Sequence, residues 1–372
     1  MRVAIVHYWL VTMRGGEKVV EALCELFPQA DIFTNVYDPE AMSPTIRRHK
    51  VTTTFIQKLP HAKKKYQSYL PLMPLALEQL DLRAYDLIIS SESGPAKGVL
   101  TRPDALHICY CHTPMRYVWD MYFDYRASTG ALKKLLMLPL MHYLKMWDYV
   151  SAGRVDHFIA NSNFVASRIA KHYRRSAEVI HPPVATTDFS PSSDHEDFYL
   201  VMGQLVGYKR VDIAVGAFNC LGRRLVIIGE GEALADVKRL AGPNVEVLGR
   251  QPFSVIKDHL SRCRALIFPG VEDFGIVPVE AMACGKPVIA YKAGGALETV
   301  VDGVTGLFFD QQTSDSLIEA VQRFEASESS FDTLRIAEHA RTFDKEIFKK
   351  KMSDFIQGKN NCLVDHGGML SG

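Results

Sequence analysis

Two carboxylates, Glu272 and Glu280, end the run Glu272-Asp273-Phe274-Gly275-Ile276-Val277-Pro278-Val279-Glu280. Carboxylates accept hydrogen bonds from hydroxyl groups, and the free N–H groups of a helix start face a sugar or phosphate readily. Pro278 marks such a start, because the first helical position needs no N–H. Gly275 permits backbone conformations closed to other residues. Glu272 then lies on a loop and Glu280 inside the helix, both expected to point into one cleft. Alone, the spacing is also that of a solvated loop acid and an exposed helix charge.

Two further segments sit where strands end. In Arg14-Gly15-Gly16-Glu17-Lys18 the two glycines let a diphosphate or an acceptor approach the backbone closely, although a simple tight turn reads the same way. Tyr110-Cys111-His112-Thr113-Pro114-Met115-Arg116-Tyr117-Val118-Trp119-Asp120 follows another apolar run. Arg116, Tyr117 and Trp119 suit a sugar acceptor and its phosphate, since aromatic faces pack on sugar C–H surfaces; ordinary packing explains them equally well. Gly229-Glu230-Gly231 lacks the third glycine of a dinucleotide fingerprint, with Leu234 in its place, so no nicotinamide cofactor is expected. The seven cysteines form no CxxC or zinc spacing and fit a reducing compartment. No DxD motif ends a strand, so no metal is expected.

Short apolar runs alternate with helical patterns along the chain, which predicts an α/β protein with parallel sheets covered on both faces. Strands are expected near residues 2–8, 31–35, 86–90, 106–111, 157–161 and 178–181. A second series is expected near 198–202, 225–228, 245–248, 265–268, 287–290 and 306–308. A Pro/Ser/Asp-rich stretch separates the two series. This gives a first domain over 1–181, a linker over 182–197 and a second domain over 198–345. A helix over 346–358 that crosses back to the first domain and a disordered tail over 359–372 complete the plan. Two doubly wound, Rossmann-like domains are then expected to face a cleft, with ligands beyond the carboxyl ends of the strands.

In this setting the acidic pair is followed by Ala283-Cys284-Gly285-Lys286-Pro287-Val288-Ile289-Ala290 and Gly294-Gly295. The chain here resembles the retaining glycosyltransferase family 4, of GT-B fold, most specifically between Gly203 and Gly306. The resemblance implies that Glu280 accepts from the ribose hydroxyls and that Glu272 contacts the transferred sugar. The backbone of Phe274, Gly275 and Ile276 would cradle that sugar. In Gly203-Gln204-Leu205-Val206-Gly207-Tyr208-Lys209-Arg210, Lys209 matches the lysine that neutralises the donor diphosphate. Gln204 stands where that family has arginine, and a neutral amide cannot offset charge; Arg210 is expected to supply it. Arg250 joins the donor-binding set, and Gly15 and Gly16 match a family glycine loop. His112 resembles a histidine near the donor sugar.

The resemblance implies hexosyl transfer with retained stereochemistry, by front-face attack and without a metal. It favours GDP-mannose as donor, with GDP-rhamnose or a UDP-sugar as alternatives. The acceptor would be a lipid-linked (polyprenyl-diphosphate) sugar of surface-polysaccharide or O-antigen assembly. A nucleotide-sugar 2-epimerase or an inactive assembly subunit are the rival readings. Lys plus Arg number 43 against 42 acidic residues, so no global field attracts nucleic acid. No signal-peptide pattern or long apolar run is present, which predicts a cytoplasmic chain. The apolar segment 132–147, flanked by lysines, reads as a bilayer-surface helix or as a buried helix pair kinked at Pro139. Lys63-Lys64-Lys65 reads as a membrane contact or a solvated face.

Overall fold

The computed structural model describes residues 1–123 and 131–367. The chain divides into two compact units: Met1–His181 together with the chain from Phe348, and Pro182–Ile347.

The first unit holds a seven-stranded parallel sheet in the order β3-β2-β1-β4-β5-β6-β7. Its strands are β1 (Val3–His7), β2 (Asp31–Thr34), β3 (Val51–Thr53), β4 (Leu87–Glu92), β5 (Leu106–Cys111), β6 (His157–Ala160) and β7 (Ala177–Val179). Every residue of β1, β4 and β5 is buried. Burial on both faces is why these strands read as unbroken apolar runs rather than alternations. The helix Gly15–Leu26 covers one face through Val19, Val20 and Leu23. Phe348, Met352 and Ile356 of the last helix join that same core.

The second unit holds a six-stranded parallel sheet in the order β10-β9-β8-β11-β12-β13. These are β8 (Tyr199–Met202), β9 (Leu225–Ile228), β10 (Val245–Gly249), β11 (Ala265–Phe268), β12 (Val288–Tyr291) and β13 (Gly306–Phe309). In each sheet the chain runs outward one way and then turns back past its first strand. The order therefore reverses between β1 and β4 in the first sheet and between β8 and β11 in the second. At such a point the loops leaving two neighbouring strands diverge to opposite faces and leave a crevice.

Several expectations are corrected. The edge strand β3 has only three half-buried residues, Val51-Thr52-Thr53, too few to show a period. The segment 131–152 is one continuous helix, not a pair; Pro139 lies on its exposed side, where the carbonyl that its ring leaves unbonded need not be buried. The C-terminal helical stretch is two helices, Thr333–Arg341 and Lys345–Gly367, the second running well into the expected tail. Residues 368–372 of that tail lie outside the described residues. The expected linker packs with the second unit. Val184 and Phe189 enter its core, and the buried Lys286 ammonium donates to the Ser192 and Asp194 carbonyls at 2.8 and 2.7 Å.

One polar group is buried deep in the first unit. Lys97, fully buried, pairs with Glu92 Oε1 at 3.1 Å and with Asp148 Oδ1. Asp148 Oδ2 accepts from Trp119 Nε1 at 2.8 Å and from Tyr173 Oη at 2.9 Å. Burial opposes the lysine's charge, but the two carboxylates outweigh it and hold Lys97 protonated. Burial, only partly offset by Lys97, pushes Glu92 up to about 7. The folded chain therefore keeps a Glu92 proton that the unfolded chain releases near the ordinary 4.5. Its stabilisation is complete below that value and is lost as pH rises through 7. Lys97→Met is expected to cost about 3–5 kcal/mol at pH 7, since two buried acids lose their counter-ion. The loss should be smaller at pH 5. Urea unfolding followed by tryptophan fluorescence measures it, because Trp9, Trp119 and Trp147 all lie in this unit.

Candidate active site

In the second unit, the loops after β8 and β11 meet at the point of strand reversal. Lys209 Nζ lies 2.8 Å from Glu272 Oε1, both side chains mostly buried. Gly203, Gln204, Pro269 and Gly270 line the small pocket around them. The close approach depends on Gly270, where a Cβ would lie 2.6 Å from Lys209 Cα. It depends also on the Gly294-Gly295 turn. Gly295 N donates to the Glu272 carbonyl at 2.8 Å, and a Cβ there would lie 2.3 Å from Phe274 Cα. The helix of the acidic motif begins at Ile276, with Gly275 as its cap at φ 87°. Pro278 is thus the third helical residue rather than the first, a place where its missing N–H still costs no helical bond. Glu280 stands half-buried on this helix.

Two of the expected cations are held elsewhere. Arg210 takes a left-handed backbone at φ 50° and turns its guanidinium onto Asp212, 3.0 Å away. The loop places it on its own neighbour rather than in the Lys209–Glu272 pocket. Arg250 is largely exposed and lies 3.4 Å from Glu230.

In the first unit, the strand ends at the reversal point also converge. Above Gly16, the position of an added Cβ would be 3.3 Å from Tyr8 Oη, 3.4 Å from His7 Cε1 and 3.6 Å from His112 Nε2. Gly15 and Gly16 open the helix Gly15–Leu26, as expected, and His112 lies beside them. His7 Nδ1 donates to the Ser91 carbonyl at 2.8 Å, and His112 Nε2 shares a hydrogen bond of 2.9 Å with Ser91 Oγ. Burial pulls His7 down to about 3 and His112 to about 4, so both are neutral at pH 7. Burial pushes Glu17 up to about 7. His7, Tyr8 and Ser91 were not singled out as site residues from sequence; their places at the carboxyl ends of β1 and β4 are the signal that could have found them.

Trp119 differs from expectation. Its indole N–H is taken by Asp148, and its ring stacks on His172 at 4.7 Å, so this side chain anchors its loop. Arg116 and Tyr117 are half-buried beside the Met115 and Val118 core. Among the described residues, no group of His, Cys, Asp and Glu is arranged to hold a metal ion.

Two doubly wound units, each with polar loops at its strand-reversal point, define a GT-B glycosyltransferase. The Glycosyltransferase Family 4 model matches residues 13–188, and the model for Glycosyl transferases group 1 matches residues 186–343. The chain belongs to glycosyltransferase family 4. It is 27% identical over 285 residues to an alpha-1,3/1,6-mannosyltransferase of Dictyostelium discoideum, covering 62% of this chain and 65% of that one. It is 31% identical over 192 residues to a GDP-mannose-dependent phosphatidylinositol monomannoside mannosyltransferase of Mycolicibacterium smegmatis, covering 43% and 50%. The chain thus spans half to two thirds of the length of these relatives. The Anabaena HepE structure in complex with UDP superposes with a TM-score of 0.70 at 17% identity, over 96% of this chain and all of that one.

Gly270→Ala is expected to push the Lys209 loop away and to weaken nucleoside-diphosphate binding at least about ten-fold. Overpacking should cost about 1–3 kcal/mol of stability. Calorimetric titration checks the first and thermal unfolding the second; wild-type affinity in the variant contradicts the role given to this close approach.

Proposed function

We propose that the protein transfers mannose from GDP-mannose, with retention, to a lipid-linked sugar acceptor. The observation that carries this reading is the Lys209–Glu272 pair: a cation suited to a diphosphate and a carboxylate suited to sugar hydroxyls, side by side at a strand-reversal point. As the glycosidic bond to phosphate breaks, charge grows on the diphosphate. Lys209 and the helix N-termini offset it, and the acceptor proton passes to the leaving phosphate. Glu280 would hold the ribose. The relatives named for mannosyl transfer support the choice of sugar, and one carries GDP-mannose in its name.

The helix Ala131–Ala152 supports a lipid-linked acceptor. Leu135, Leu138, Tyr143, Met146, Tyr149 and Val150 are exposed on it, and the one acid between Leu135 and Ala152, Asp148, is buried. Leu70, which follows the Lys63-Lys64-Lys65 run, packs against the core that includes Leu144. An exposed apolar helix face without an exposed acid between Leu135 and Ala152 fits a bilayer surface. No described helix is long and apolar enough to cross a membrane.

In a thermal-shift panel GDP should stabilise the protein more than UDP; stabilisation by UDP alone overturns the mannosyl reading. Transfer from radiolabelled GDP-mannose to a lipid-linked acceptor should persist in EDTA and fall by roughly 100–1,000-fold in Glu272→Ala and Lys209→Ala. Turnover of free nucleotide sugar alone would favour the epimerase instead. The double variant Leu135→Glu, Met146→Glu should lose sedimentation with vesicles of anionic phospholipid while keeping the wild-type response to GDP. Undiminished sedimentation rejects the membrane face.

A further inference from the structure

The hydrogen bonds at the first sheet's reversal point leave few choices for the protons. The Ser91 carbonyl can only accept, so the His7 nitrogen 2.8 Å from it, Nδ1, carries a proton. His7 is neutral at pH 7, which leaves Nε2 a bare lone pair; that atom is buried and has no hydrogen-bond partner. Among the described residues the one hydrogen bond of the His7 ring is therefore to Ser91, and it fixes the backbone at the carboxyl end of β4.

Ser91 is fully buried, and among the described residues its hydroxyl has a single partner, His112 Nε2 at 2.9 Å. A buried hydroxyl that keeps its proton unshared bears a desolvation cost. That cost is avoided only if Ser91 donates to Nε2. Neutral His112 must then carry its own proton on Nδ1. Among the described residues no protein group bonds that Nδ1, and His112 keeps part of its surface open.

We propose that Ser91, braced by His7, is a positioning residue that locks His112 in the Nδ1–H tautomer. His112 then offers an outside oxygen a neutral N–H donor and cannot serve there as a base. The oxygen would be a hydroxyl or ring oxygen of the transferred sugar; this part rests on the reading of His112 as a donor-sugar contact. Binding of an oxygen acceptor rather than proton removal is the chemistry this assigns. It agrees with a transfer in which the leaving phosphate takes the acceptor proton.

The test is the imidazole nitrogen spectrum of protein labelled with 15N-histidine, with His112→Gln used to assign the His112 signals. Wild-type protein should show the Nδ1–H form at His112, Ser91→Ala a mixture of tautomers, and Ser91→Thr the wild-type form, because threonine restores the hydroxyl. In the transfer assay Ser91→Ala should lose roughly 2- to 12-fold in kcat, the range for one hydrogen bond, and Ser91→Thr should recover it. Nucleoside-diphosphate affinity should not change in either variant. An Nε2–H signal at His112 in the wild type overturns the lock, as does an unchanged spectrum in Ser91→Ala. Wild-type transfer by His112→Ala, which has no donor, would instead remove the sugar contact while leaving the tautomer assignment intact, so the two failures are distinguishable.

Discussion

A lysine and a glutamate can sit 2.8 Å apart in the second unit because two neighbouring strands send their chains to opposite faces of the sheet. The crevice this opens between the loops after β8 and β11 belongs to the topology and not to any one side chain. What the sequence adds is permission for close approach. Gly270 lets one loop lie against the Lys209 backbone, and Gly295 lets the Phe274 segment pack under its turn. A side chain at either place would collide with backbone, which cannot swing aside as a long flexible side chain can.

Much of this was legible beforehand, for a physical reason. Central parallel strands are buried on both faces, so β5, β9 and β11 stand out as short apolar runs with unambiguous ends. The acidic motif and the Gly294-Gly295 turn are local, and local patterns survive in one dimension. What was hidden is long-range. Lys97 and Asp148 are 51 positions apart, and nothing near either one announces a buried pair. Trp119 looked like a sugar platform because its neighbours in sequence are polar and aromatic. Its actual partners, Asp148 and His172, come from two distant helices.

Arg210 pairs locally, with Asp212. An analogy of position placed its charge beside the diphosphate site. An acid two residues on, together with a left-handed backbone at Arg210 itself, offers a nearer partner. The expected linker is pinned instead by contacts from far along the chain. The ammonium of Lys286 satisfies two backbone carbonyls of a segment that has no secondary-structure partners of its own over Ser192 and Asp194.

The two strand-reversal points differ in kind. The second unit presents a charged pair, suited to a ligand whose charge grows during reaction. The first presents imidazoles that burial keeps neutral down to about pH 4, next to a helix start and a carboxyl that burial holds near 7. A neutral hydrogen bond is directional but weak over distance, while an ion pair is strong over distance and tolerant of angle. A cationic histidine at the first unit's reversal point would give that point a long-range field of its own and blur that division. Burial of His7 and His112 thus leaves the first unit's reversal point without imidazolium charge, whereas the second unit's reversal point carries the Lys209–Glu272 ion pair.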